Sequence, residues 1–267
     1  MDPLHAVLLA AAGAAAGFLA GLFGVGGGIL LVPILLVFFR TIGVSALVAT
    51  HLAFGTSLFI VVFTSLSSAR TYAARGLVSW RAVAIMGASS VLGAYGGSLL
   101  ASRLAGTALQ RIFAAVVTLA ALRMLLKQAG TGADREPDLR VPGLAAIGLG
   151  VGAVSSLAGV GGGVLSIPLM VFLLGFPLKR ALGTSSATII ITATAAVIGY
   201  IVNGWGEPLL PPGALGYVDV LHAVPVILGS IPLATVGART ANHLHGDTLR
   251  RLYAVFLLAI AARMFLT

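Results

Sequence analysis

Charged side chains are scarce in this sequence, and cysteine is absent. Only 9% of the 267 residues are charged and 59% are hydrophobic, whereas about 25% of the residues in an ordinary soluble domain are charged. So few polar groups could not cover the surface of a soluble fold. The lack of cysteine excludes disulfide frameworks, thiolate metal sites, cysteine nucleophiles and thiol redox chemistry. We therefore predict an all-α integral membrane protein.

Acidic residues are also few, and all seven lie outside the cores of the apolar segments. A cation carrier or a carboxylate proton relay would need at least one of them within the membrane. The histidines and carboxylates do not have metal-ligand spacing, and the glycine runs do not match a phosphate-binding loop. Serine-type catalysis would lack a buried aspartate as partner for His51. The sequence thus predicts a protein that is not an enzyme and has no cofactor and no metal site.

Apolar segments divide the chain into two similar halves, residues 1–127 and 141–267, joined by a hydrophilic linker at 128–140. A membrane span needs about 20 apolar residues. Each half is predicted to contain one long segment broken by glycines and then three full spans. The broken segments are residues 6–39 and 141–176. The full spans are about 44–69, 82–102 and 107–127 in the first half, and 181–206, 218–239 and 248–266 in the second.

The two halves are copies of one unit. Residues 22–33 match residues 157–168 at 8 of 12 positions, around the shared run Gly-Val-Gly-Gly-Gly. The offset between the copies is 135 residues at this point. Further along it becomes 140, where Arg111 pairs with Arg251. This alignment places five extra residues in the loop at 204–216.

The distribution of positive charge indicates how the copies are related. Arginines and lysines at helix ends set membrane topology, so the net charge of +9 predicts no nucleic-acid partner. If each broken segment is a hairpin that enters and leaves on one side, 12 of the 16 basic residues share a side. A full crossing would divide them evenly, against the positive-inside rule. We therefore predict two inverted repeats, with a cytoplasmic linker and both termini outside.

The glycine runs form the first part of the candidate site. Each run leaves free N–H groups at the start of the helix that follows, whose dipole adds about half a positive charge. In inverted copies the two loops should face each other near the middle of the membrane. The alternative is that the glycines only allow close helix packing, as we expect for Gly96. The loop residues of the predicted anion site are Gly24, Gly26, Gly27, Gly28, Gly159, Gly161, Gly162 and Gly163.

Hydroxyl residues after each loop form the second part of the candidate site. With an offset of 135, Thr50 and His51 align with Ser185 and Ser186. The alternative for each hydroxyl is a bond to its own helix or to a neighbouring one. His51 is predicted deep within a span, which makes it the candidate for proton coupling, as against a structural histidine. The side chains predicted to contact the ligand are Thr50, His51, Ser57, Ser166, Ser185 and Ser186.

Two Gly-x-Gly-Gly-Gly-x-Leu-x-x-Pro motifs, at residues 24–33 and 159–168, each precede a span rich in serine and threonine. This duplicated pattern resembles the sulfite exporter TauE/SafE family over essentially the whole chain. The resemblance implies a multi-pass protein of the bacterial inner membrane that exports sulfite, organosulfonates or related sulfur-containing anions. The expected partners are a small anionic solute and the lipid bilayer, with a homodimer as a further option.

Two alternatives remain open. Two helix ends together supply about one positive charge, which suits a monoanionic sulfonate or bisulfite, but a carrier or channel for another small anion would use the same loops. The second alternative is a membrane scaffold or assembly factor that transports nothing.

Overall fold

The computed structural model describes residues 3–101, 139–159 and 161–266, with the single residues Thr118, Leu122 and Pro137. The span predicted at 107–127 and most of the predicted linker lie outside the described residues.

Nine helices make up the named elements of the described chain. The first copy contains α1 (Pro3–Phe23), α2 (Gly28–Thr41), α3 (Ala46–Ala73) and α4 (Trp80–Ala101). The second copy contains α5 (Val141–Ala158), α6 (Gly163–Leu173), α7 (Leu178–Asn203), α8 (Val220–His243) and α9 (Gly246–Leu266). By length and apolar composition, α1, α3, α7 and α8 can each cross a membrane. The all-α membrane fold expected from the composition is confirmed.

A glycine loop separates the first two helices of each copy. The residues that precede α2 and α6, Gly27 and Gly162, have φ angles of +87° and +82°. Only glycine adopts this left-handed backbone without strain. Because the conformation is not helical, the preceding helix must end before this residue. In both copies the helix before the loop is the longer one, with 21 residues against 14 and 18 against 11.

The central helices α3 and α7 pack against each other and run antiparallel. The start of α3 meets the end of α7, because a Cβ built on Gly55 would lie 3.1 Å from Cβ of Tyr200. The end of α3 meets the start of α7, because a Cβ built on Gly183 would lie 2.9 Å from Cβ of Tyr72.

Closely spaced glycines join the two copies. A Cβ on Gly13, Gly17 or Gly21 of α1 would collide with the backbone of α8, and a Cβ on Gly148 or Gly152 of α5 would collide with the backbone of α4. Small residues four positions apart allow helix backbones to approach this closely. The first helix of each copy therefore packs against the fourth helix of the other.

Gly96 does not belong to this interface. A Cβ built on Gly96 meets no described atom within 4 Å, so Gly96 packs against no helix in the described part of the chain, and its packing role stays a prediction. The packing glycine of α4 is Gly93, which lies against the backbone of Leu149.

Candidate functional site

The two glycine loops lie against each other beside the middle of α3 and α7. A Cβ added at Gly163 would lie 2.6 Å from Cα of Val25 in the other loop. The side chains of Val61 in α3 and Ile189 in α7 contact both loops. The eight loop glycines predicted from the sequence are all buried, namely Gly24, Gly26, Gly27, Gly28, Gly159, Gly161, Gly162 and Gly163.

Several backbone N–H groups in the loops have no backbone acceptor. The first turns of α2 and α6 close on the carbonyl oxygens of Gly27 and Gly162. Among the described residues, the N–H groups of residues 26–28 and 161–163 form no backbone hydrogen bond. Buried N–H groups are rarely left without a partner. These loops therefore offer a concentration of donors that a ligand can use.

Hydroxyl groups bond the carbonyl oxygens of the same loops. Ser57 in α3 donates to the carbonyl of Gly159 at 3.3 Å, which ties the first copy to the loop of the second. Ser185 in α7 makes the reverse connection and donates to the carbonyl of Gly24 at 3.0 Å. Its hydroxyl oxygen also lies 2.9 Å from that of Ser166. The structure thus brings Ser57, Ser166 and Ser185 to the loops, where they bond the backbone or one another.

Further hydroxyls at the loops were not predicted. Thr64 donates to the carbonyl of Gly26 at 2.8 Å, and its spacing of seven residues from Ser57, two turns along one helix face, is the signal that identifies it. The Ser65 hydroxyl is buried without a partner among the described residues. It lies 3.0 Å from the position of a Cβ on Gly26. The hydroxyl of Ser155, beside Gly162, is unpartnered in the same way.

Thr50 and His51 do not lie at the glycine loops. They lie near the start of α3, about 9 Å along the helix from Ser57. The His51 side chain is exposed and packs on the ring of Tyr217, with 5.1 Å between centroids. The structure therefore does not bring His51 to the loops, and its role in proton coupling stays a prediction. Desolvation, followed by the charge of Glu207, raises the pKa of Tyr217, so His51 packs on a neutral phenol.

Hydrogen bonds define how α3 and α7 correspond. Thr56 accepts from the N–H of Asp219 at 2.9 Å, and Thr184 accepts from the N–H of Ser79 at 3.0 Å. Each donor immediately precedes the fourth helix of the other copy. Thr56 and Thr184 are therefore equivalent, with an offset of 128 residues instead of 135. With the later offset of 140, the loop before α8 contains 12 extra residues rather than five.

This register corrects the predicted pairing of the hydroxyls. Ser57 corresponds to Ser185, within a Gly-Thr-Ser tripeptide present in both copies. The two registers differ by seven residues, or about two helical turns, so they place polar residues on the same face and the pattern alone does not separate them. Ser186 is not equivalent to His51, and its hydroxyl donates to the carbonyl of Leu182 within α7 at 3.0 Å.

A buried carboxylate lies near this site, just before α8 and thus outside the core of the span, as expected. Asp219 is 4% exposed and caps α8. One of its oxygens lies 2.6 Å from Nδ1 of His222, and the other accepts the backbone N–H of His222 at 3.1 Å. The imidazole of His222 packs on Phe38 and Phe39 of α2. The sequence places Asp219 at the edge of a span, and the contacts with α2 and α3 bury it.

A basic cleft of about 670 Å³ lies between the later parts of α3 and α8. Arg70, Arg75 and Arg239 line it, together with Ser67 and Thr235, whose hydroxyl oxygens are 2.8 Å apart. Among the residues that the structure describes, no carboxylate lines the cleft and none of the three arginines forms an ion pair. The cleft therefore attracts anions.

Comparisons with known proteins agree with the membrane fold. The family model described as sulfite exporter TauE/SafE matches residues 9–264. A probable membrane transporter protein of Haemophilus influenzae is 34% identical over 95% of this chain and 96% of its own length. A probable membrane transporter protein of Methanocaldococcus jannaschii is 30% identical, over 84% and 83% respectively. The probable membrane transporter protein YunE of Bacillus subtilis is 27% identical, over 97% and 96%. No solved structure gives a significant match.

Proposed function

This chain belongs to the sulfite exporter TauE/SafE family of membrane transporters, and on that premise we propose that it exports small sulfur-containing anions such as sulfite and organosulfonates across the bacterial inner membrane. The observation that carries the proposal is the pair of buried glycine loops. The N–H groups of residues 26–28 and 161–163 form no backbone hydrogen bond among the described residues, and they lie where two helix starts meet.

The electrostatics of the loops suit a monoanion. The starts of α2 and α6 each contribute about half a positive charge, so together they balance one negative charge. Because water is scarce at this depth, donors that are already positioned bind an anion more strongly than they would at an exposed surface. The unpartnered hydroxyls of Ser65 and Ser155 add two further donors at the same place.

The helix directions support inverted repeats. The equivalent helices α3 and α7 run antiparallel. Glycines 13, 17 and 21 of α1 meet residues 226, 230 and 234 of α8 in the same order, so α1 and α8 run parallel. In an inverted pair the two loops approach one site from opposite sides, which is the geometry of alternating access.

The basic cleft supports the proposal that the solute is an anion and that it is exported from the cytoplasm. In the proposed topology Arg70, Arg75 and Arg239 lie on the cytoplasmic side, where an exported anion enters. A cleft lined with one sign of charge raises the local concentration of oppositely charged solute.

Transport by purified protein in liposomes tests this function. Labelled sulfite, taurine and sulfoacetate should each be compared with an amine and a sugar. We expect saturable movement of at least one sulfur-containing anion. Saturable movement of the amine or sugar alone would contradict the anion site. Movement of no solute by correctly folded protein would favour the scaffold alternative.

A matched pair of serines tests the loop site within the same assay. Ser65→Ala removes an unpartnered hydroxyl beside Gly26, whereas Ser68→Ala, one turn away, removes a hydroxyl that donates to the carbonyl of Thr64 at 3.0 Å. Loss of one hydrogen bond to a ligand costs about 1 kcal/mol, or roughly a fivefold rise in KM. We expect this rise for Ser65→Ala only. Equal KM values in the two variants would remove Ser65 from the site.

A further inference from the structure

We propose that Asp219 and His222 form a proton-binding site whose protonation favours binding of the transported anion. The inference rests on the proposed function and assigns its proton dependence to a pair of residues that the sequence analysis left out. The pair takes the proton-coupling role first predicted for His51, which lies exposed near the start of α3.

Among the described residues, the pair forms no ion pair with a third group. Asp219 and His222 bond each other at 2.6 Å with side chains 5% and 15% exposed. From α3 they face the hydroxyl of Thr56, and from α2 the rings of Phe38 and Phe39. Two ionisable residues lie on or against α2, His5, whose ring packs on Phe38, and the exposed Arg40, and neither forms an ion pair with Asp219. A proton gained or lost here changes the net charge of a largely buried pair by one.

The pair is connected to the loops through two consecutive residues. The N–H of Asp219 donates to Thr56 at 2.9 Å. The next residue, Ser57, donates to carbonyl oxygens in both glycine loops, at 3.3 Å to Gly159 and 3.4 Å to Gly28. A shift of the α8 start is therefore transmitted to the donors that hold the loops.

A structural cap alone does not explain the pair. In the other copy the equivalent residues are Ser79 and Ala82. There the N–H of Ser79 still donates to Thr184 at 3.0 Å, as the N–H of Asp219 does to Thr56. The helix start thus makes the same bond without a titratable group. The second copy therefore carries an acid–base pair that the equivalent positions of the first copy lack.

The sign of the coupling follows from charge. The protonated pair, carboxylate with imidazolium, is neutral overall, and loss of one proton leaves it with one negative charge. A negative charge close to the loops disfavours an anion there. By linkage, binding of the anion must then favour uptake of a proton at the pair.

Methanesulfonate is the probe for this proposal, because its charge does not change between about pH 5.5 and pH 8, the range in which histidines titrate. KM should be measured in liposomes across this range, and proton uptake on binding should be followed in weakly buffered detergent. For the wild type we expect KM to rise with pH, by up to about tenfold per unit, and one proton to be taken up per anion bound.

The variant His222→Gln, which removes the titrating imidazole, should transport with a KM that no longer depends on pH and without proton uptake. Asp219→Asn leaves the imidazole without its carboxylate partner and should move the pH dependence to lower pH. Asparagine also caps helices, so the start of α8 is retained. Asp247→Asn is the matched control, because Asp247 also pairs with a basic residue three positions on, Arg250 at 3.7 Å, but is 57% exposed. This control should keep the wild-type profile.

Each outcome decides between the two proposals. Transport with a flat wild-type profile, or a wild-type profile retained in either variant, overturns the proton site and leaves the anion transporter intact. A pH dependence lost equally in Asp247→Asn overturns it as well. A wild type that moves no sulfur-containing anion overturns the proposed function and this inference with it.

Discussion

The two copies of the repeat build the same centre with matching residues. Tyr72 donates to the carbonyl of Gly21 at 2.9 Å, and its equivalent Tyr200 donates to the carbonyl of Ser156 at 3.0 Å. At the flanks the copies differ. Arg70 lines the basic cleft, whereas the equivalent residue of α7 is Ile198, which is 57% exposed. The shared residues hold the loops, and the residues that differ give the two ends of the molecule different charge.

The largest effect is expected from breaking the helix contacts that both copies share. Gly17→Val and its equivalent Gly152→Val would each push a side chain into the backbone of the facing helix, at Ser230 and at Ser90. Overpacking against backbone costs on the order of 3 kcal/mol. Both variants should lose most of their folded, monodisperse protein in size-exclusion chromatography.

Gly150→Val is the control for this pair, because a Cβ on Gly150 meets nothing within 4 Å among the described residues. Its yield should match the wild type. If Gly17→Val were tolerated while Gly152→Val was not, the two interfaces would not be equivalent.

A smaller effect is expected from the matched tyrosines. Tyr72→Phe and Tyr200→Phe each remove the donor to a helix carbonyl, at a cost of about 1 kcal/mol. For a chain of this size that lowers Tm by about 2–4 °C. Tyr253→Phe is the comparison, because the Tyr253 hydroxyl is buried without a partner among the described residues, and its removal should not lower Tm. An equal loss in all three would show that the ring environment, rather than the hydrogen bond, determines stability.

The smallest effect is expected at the basic cleft, where the two copies differ in charge. Arg70→Gln removes one charge from the cleft and should raise KM for the anion about two- to threefold at low ionic strength, with the difference fading in high salt. Arg81→Gln removes an exposed arginine that does not line the cleft, so its KM should be unchanged. A salt-independent change at Arg70 would indicate a packing role.

The sequence predicted most of the fold because its signals are local. Triple glycine interrupts a helix and long uncharged runs are typical of membrane spans, so the all-α membrane fold could be predicted from short stretches of sequence. The register of α3 against α7 was missed because a shift of seven residues keeps the same helix face. The Gly-Thr-Ser tripeptide shared by the two copies was the sequence signal for it, and the bonds of Thr56 and Thr184 establish it. Burial of Asp219 depends on contacts with distant helices, which its position at a span edge does not reveal.

The hydroxyls of Ser57, Thr64 and Ser185 have a consequence for selectivity in the proposed site. Every loop peptide carries a donor and an acceptor, and a bare glycine loop would be as suited to coordinating a metal cation as to holding an anion. By engaging the carbonyl oxygens of Gly159, Gly26 and Gly24, α3 and α7 cover the electronegative half of these peptides. What remains is a surface of N–H dipoles, which distinguishes the sign of a solute's charge without an ionised side chain in the loops.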